Sequence, residues 1–258
     1  MAQYYDLVAG LPVLALEGNR ELPDHASELE SLAGAMRPED ARGLWRLRLV
    51  HDCANLANAV LGLPFPFDRR GNWSPEKLNA EIAAPDEMPD FMIEFVRKGG
   101  EGGAEALDRA FFEWADALPD GWVRKYLVFE LHVRAALAIL QNRRRAKDAA
   151  PVAVPKIDEI AAAVGSSGAP DFGIATACPW IAALVQAADE GPLEAELAAD
   201  RIRWDMAGEL TSTRTFSEEA IYAFAVRLGL AARWEALGAE AGRARLERLV
   251  ETLKVNVP

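Results

Sequence analysis

The stretch from about Gly121 to Lys147 carries apolar side chains on nearly every face, and this most constrains what the chain can become. Trp122, Tyr126, Phe129, Val133, Ala136 and Leu140 recur at i, i+4 and i+3, while Leu127, Leu131, Leu137 and Ile139 occupy other faces. Such a helix is stable only when surrounded, so the pattern predicts a central helix in a multi-helix protein. Glu130 and Arg134 stand on it at i, i+4, in the order that favours an ion pair.

A second long helix is expected over Leu44 to Leu63. At 100° per residue, Trp45, Leu49, Cys53, Leu56 and Val60 share one face, and Arg48, Asp52 and Asn55 line its polar border. The run Asp52-Cys53-Ala54-Asn55-Leu56 offers one carboxylate and one amide beside a core stripe. That is enough to cap a neighbour or pair with Arg48, and too little for catalysis. Asp52 and Asn55 are therefore read as structural positioning groups.

Helix punctuation sets the remaining organisation. Pro38-Glu39-Asp40 opens the second helix, with Gly62 and Pro64 beyond its end, and Ser74-Pro75-Glu76 reads as an N-cap followed by proline. Further helices are expected at Pro89 to Lys98, Ala104 to Leu118, near Lys156 to Val164, Pro179 to Ala188, Pro192 to about Glu209, Ser217 to about Leu237 and Glu240 to Leu253. Ser217 is a natural N-cap, with Phe216 and Ile221 placed as a hydrophobic staple. Strand alternation is almost absent. The expectation is an all-α bundle of about eight to ten helices in a single domain, 1–258, with Gly99-Gly100-Glu101-Gly102-Gly103 as a hinge between candidate lobes 1–98 and 104–258. Asp52 and Glu130 open similar runs of small and aliphatic residues, a faint sign of internal duplication.

The longest uninterrupted apolar runs, Ala135 to Leu140 and Trp180 to Val185, are far short of the roughly 20 residues needed to cross a bilayer. No basic and apolar secretory leader opens the chain, so a cytoplasmic location with Cys53 and Cys178 reduced is expected. A net charge of −12 argues against nucleic acid or an anionic membrane surface as a partner. The charge is uneven: residues 71–120 carry 4 basic and 12 acidic side chains, and residues 121–150 carry 7 basic and 2 acidic. Either two helical faces attract one another, or Arg143, Arg144, Arg145 and Lys147 form a docking surface for an acidic partner. Cations at a helix C-terminus are also what the macrodipole favours.

Catalytic signatures are missing from the sequence. No phosphate-binding loop, dinucleotide fingerprint or His-Glu-x-x-His helix occurs, and Gly99 to Gly103 follows a helix and carries Glu101. His51, Asp52, Cys53 and His132 are candidate metal ligands, but neighbours along a helix point about 100° apart and cannot share one ion. No cofactor is implied. Cys178, in Cys178-Pro179-Trp180 at a helix start, is the one candidate nucleophile, with an inert buried thiol as the default.

The opening Tyr4-Tyr5-Asp6-Leu7-Val8-Ala9-Gly10-Leu11-Pro12, the Asp52-x-x-Asn55-Leu56 helix, and Ser217-Glu218-Glu219-x-Ile221 with Arg233-Trp234-x-x-Leu237 and Gly242 resemble an uncharacterised bacterial family encoded beside V-type ATPase genes. The same elements resemble a shortened form of the V/A-type ATPase rotor cap, a helical funnel built from related lobes that seats the central axle on the membrane ring. Glu130 and Val133 stand where a second Asp and Asn would be expected. The resemblance implies a non-catalytic helical part joining the central stalk to the membrane rotor ring, with the stalk and ring proteins as partners. A different expectation is a small-molecule-binding helical protein or enzyme with a pocket near Cys178 and the loop 165–178.

Overall fold

The computed structural model describes residues 4–19, 21–145 and 152–238, and the side chain of Arg145 lies outside this description. Eleven α-helices and no strand occur among these residues: α1 Tyr5–Gly10, α2 His25–Ala35, α3 Pro38–Leu61, α4 Pro75–Ala83, α5 Asp90–Arg97, α6 Gly103–Asp116, α7 Trp122–Arg145, α8 Glu159–Ser166, α9 Ile181–Glu190, α10 Pro192–Glu209 and α11 Glu218–Leu237. The helix expected at Glu240 to Leu253 lies outside the described residues, as do Lys147 and Gly242.

Local chemistry explains most of the boundaries. Pro38 starts α3 where its missing N–H costs nothing, and Gly62 ends it in the left-handed region at φ +63°. The side chains of Asp24, Ser74 and Asp158 accept from the backbone N–H of Ser27, Lys77 and Ala161, capping α2, α4 and α8. Ser217 precedes α11 without capping it; its hydroxyl donates instead to the Arg214 carbonyl and contacts the Glu219 carboxylate. Phe216 lies against the ring of Tyr5, centroids 4.8 Å apart.

The two long helices α3 and α7 organise the interior. Leu49, Cys53 and Leu56 are buried as their spacing predicts, while Trp45 and Val60 are only half-buried. Each fully buried aliphatic side chain contributes roughly 1.5–3 kcal/mol. α7 spans two apolar clusters: Trp122, Tyr126, Leu127 and Leu131 join one with α3, α6 and α11, and Phe129, Val133, Ala136 and Leu140 join the other with α8, α9 and α10. The first cluster also contains Leu44, Leu56 and Phe95, so it crosses the glycine-rich turn 99–103. In that turn Gly100 is buried at φ +79°, and a Cβ there would come within 2.6 Å of Leu61 Cδ2. The turn is packed onto the end of α3.

Acidic and basic helices meet where the charge blocks suggested. Arg124 on α7 pairs with Asp116 at the end of α6 at 2.6 Å, and Arg134 approaches Asp108 at 3.7 Å. Both pairs are partly exposed and are worth little individually.

Candidate functional site

Arg48, Asp52 and Asn55 succeed one another on one side of α3 and grip the segment 68–73 by its backbone. Asn55 donates to the Asp68 carbonyl and accepts from the Asp68 N–H, both at 2.8 Å. Asp52 accepts from the Asn72 N–H at 2.8 Å, the Asn72 side-chain amide at 2.7 Å and the Trp73 N–H at 3.3 Å. Arg48 donates to the Arg70 and Gly71 carbonyls. The expected Arg48 to Asp52 pair is therefore replaced by a three-residue clamp, and Asp52 and Asn55 are buried at 1% and 3% exposure, not ranged along a solvated border. The clamped backbone supplies the donors and acceptors that allow such burial. Gly71 is required because a Cβ there would fall 2.3 Å from Asp52 Oδ1. Burial pushes the Asp52 carboxyl up to about 6, against the hydrogen bonds from Asn72 and Trp73.

The clamp presents Asp68 and Arg70 to a cavity of about 450 Å³ between α2, α3, α7, α10 and α11. His51 on α3 places Nδ1 2.9 Å from Asp68 Oδ2, and Arg70 Nη2 donates to the same oxygen at 2.7 Å. Burial acts to raise the Asp68 carboxyl, but the hydrogen bonds from His51 and Arg70 outweigh it and hold the group well below the usual range. Burial lowers His51, so its neutral ring donates from Nδ1 to the carboxylate. His25 on α2 is brought down to about 3 by burial and then by His51, Arg48 and Arg70.

Across the cavity, an ion network ties three helices together. Arg203 on α10 makes a bidentate pair with Glu130 on α7, at 2.7 and 3.0 Å, and donates to Asp200 at 2.8 Å. Arg233 on α11 bridges Asp200 and Glu196, and Trp234 Nε1 donates to Asp200 at 2.9 Å. Asp200 is 1% exposed and Arg203 8%. Burial works against the Arg203 cation, but Glu130 and Asp200 more than compensate and hold its proton more tightly than usual. The expected Glu130–Arg134 pair does not form: Glu130 is engaged across the bundle by Arg203, and Arg134 turns toward Asp108 and the Phe112 ring.

The remaining candidates are dispersed. Arg143 donates to the Ser167 and Ala169 carbonyls and covers the Phe172 ring at 4.5 Å, so it fastens the loop 165–178, while Arg144 is exposed. Cys178 is 7% exposed within the second apolar cluster, and burial pushes its thiol up, away from thiolate character. His132 pairs with Asp158 at 2.8 Å, far from His51's partner Asp68 in the chain. Among the described residues no group of three or more His, Cys, Asp or Glu could hold a metal ion. The cavity residues His25, Asp68, Arg70, Glu196, Asp200 and Arg203 were not singled out by sequence. Only Asp200-x-x-Arg203, an i, i+3 pair among the small core residues of α10, carried a readable signal.

The three segments that carry the sequence resemblance converge on α3. Tyr4 donates its N–H to the Phe216 carbonyl at 2.7 Å and its hydroxyl contacts Asp40, while Tyr222 donates to the Asp40 carbonyl at 2.7 Å. The opening, the start of α11 and the Asp52-x-x-Asn55 helix are thus one connected structure. What fold and site define is a many-helix protein with a charged, internally paired cavity and, among the described residues, no helix long and apolar enough to cross a membrane. The chain belongs to the family described as protein of unknown function DUF2764, which matches it over residues 1–257. No curated protein and no solved structure matches it.

Proposed function

We propose that this protein is a non-catalytic component or accessory protein of a V/A-type ATPase, an adaptor that links the soluble central stalk to the membrane rotor ring. The observation that carries the reading is the junction at α3, where the segments resembling the rotor-cap funnel meet through Tyr4, Asp40 and Tyr222. A torque-bearing part must resist shear, and the network from Glu130 through Arg203, Asp200 and Arg233 to Glu196 cross-links α7, α10 and α11 in a manner suited to that load. In this role the protein works in the cytoplasm, held at the membrane by its protein partners. Arg144 is the exposed cation of the basic run available to them.

The decisive experiment is affinity capture of tagged protein from gently solubilised native membranes, with mass spectrometry of what accompanies it. Co-purification of the V-type ATPase stalk and ring proteins is expected, with reduced recovery for Arg144→Glu. Capture of well-folded protein without any of them would overturn the adaptor role. A pocket at Cys178 gains nothing from the apolar packing around that thiol.

A further inference from the structure

The interior cavity has an unequal hydrogen-bond inventory. Each oxygen of Asp68, Glu130, Glu196 and Asp200 already accepts from a neighbour: Arg70 and His51 serve Asp68, Arg203 serves Glu130, Arg203, Arg233 and Trp234 serve Asp200, and Arg233 and Gln141 serve Glu196. The donors are not used up. Arg134 has its Nη1 buried without a hydrogen-bond partner and only the 3.7 Å approach of Asp108 at Nη2. His25 Nδ1 is likewise buried and unpartnered. Arg48 spends its hydrogen bonds on two neutral carbonyls, with Asp52 the nearest compensating charge.

Fixed charges point the same way. Five arginines and four carboxylates line the cavity, leaving an excess of one positive charge inside a chain whose net charge is −12. The rest of the lining is apolar, including Leu29, Leu44, Leu47, Leu137 and Leu230. Buried donors without acceptors cost free energy, and an occupant bringing acceptors and negative charge removes that cost. An apolar wall beside them favours a ligand with a hydrocarbon body.

We infer that this cavity is a binding site for a small organic anion, a molecule with a carboxylate or phosphate head toward Arg134 and His25 and an apolar body against the leucines. The site rests on the cavity lining alone and goes beyond any role in an assembly. Its volume of about 450 Å³ suits a metabolite-sized molecule and is too small for a folded segment of another protein.

Titration calorimetry on the full chain tests this with phenyl phosphate and benzoate as probes, and with benzyl alcohol and benzylammonium as neutral and cationic counterparts. Saturable binding of at least one anion is expected, with the tighter of the two identifying the headgroup, and the counterparts binding at least about tenfold more weakly. Arg134→Gln should weaken anion binding by about tenfold or more while retaining the helical spectrum and melting temperature, since it removes a charge-assisted donor. If Arg134→Gln loses that spectrum, His25→Gln carries the same expectation. Failure of both anions to bind folded protein at millimolar concentration would overturn the site, as would equal binding of benzylammonium or unaltered binding in both variants.

Discussion

Asp52 is a charged side chain with several N–H donors and almost no water, and His25 is an imidazole that faces cations across the same region; their titrations oppose each other. Folding holds the Asp52 proton up to about 6, against 3.8 for an ordinary carboxyl, so its contribution is full below pH 3.8 and is lost as pH rises through 6. The folded His25 titrates at about 3 against 6.5, so its contribution is full above pH 6.5 and is lost as pH falls toward 3. Between about pH 6 and 4 the two slopes cancel, each approaching about 1.4 kcal/mol per pH unit. Replacing His25 by Gln removes one of them. The stability advantage of the natural protein over His25→Gln, read from urea midpoints, should shrink steadily on acidification through this window; a constant difference would mean that His25 gains its proton freely in the fold. At the clamp, Asn55→Ala strands the N–H and carbonyl of Asp68 and should lower unfolding free energy by about 1–3 kcal/mol. Unchanged urea stability would show that water replaces the amide without loss. The residue types of this clamp were legible in the sequence, but their partner was not: segment 68–73 follows Pro64 and Pro66 in an aperiodic stretch, and nothing local marks its backbone as what Asp52 and Asn55 hold.

Helices are where the sequence is most transparent, because proline, glycine and capping side chains act on their own few neighbours. α3 and α10 begin and end at the residues their punctuation indicates. α1 and α2 are harder to see: α1 has six residues and none buried, and α2 buries only Leu29 and Leu32, too few for a periodic stripe. Pairing between helices is the least legible level. Glu130 has a cation at i+4 in Arg134, yet its partner is Arg203, 73 residues away, because two buried N–H groups aimed at both carboxylate oxygens outweigh one solvated contact worth a few tenths of a kcal/mol. The buried network is accordingly sensitive to one-sided changes. Arg203→Met leaves Glu130 and one side of Asp200 without a cation and should cost about 3–5 kcal/mol. Adding Glu130→Leu to that variant should recover part of the loss, because it removes one stranded charge. A double variant as unstable as the sum of the single changes would show that Glu130 and Arg203 are not coupled.

At the scale of the molecule the question is whether the glycine turn 99–103 separates two independently stable parts. The apolar cluster that contains Leu44, Leu56 and Phe95 also contains Phe111, Phe112, Leu127 and Leu228, so the core is continuous across the turn. α7 then carries that continuity into the second cluster through consecutive turns of one helix, from Tyr126 and Leu127 to Phe129 and Val133. Opening either part would expose the apolar face of α7 and strand Glu130 or its partner Arg203, costs too large to be met by one part alone. The described helices should therefore unfold together. Far-ultraviolet dichroism, reporting helix, and near-ultraviolet dichroism, reporting Trp122 stacked on Tyr126 at 5.1 Å, are expected to give coincident urea transitions. Separated midpoints would reveal two cooperative units and would remove the rigidity on which a torque-transmitting role depends. A single transition would leave α7 as the shaft through which strain at one apolar cluster reaches the other.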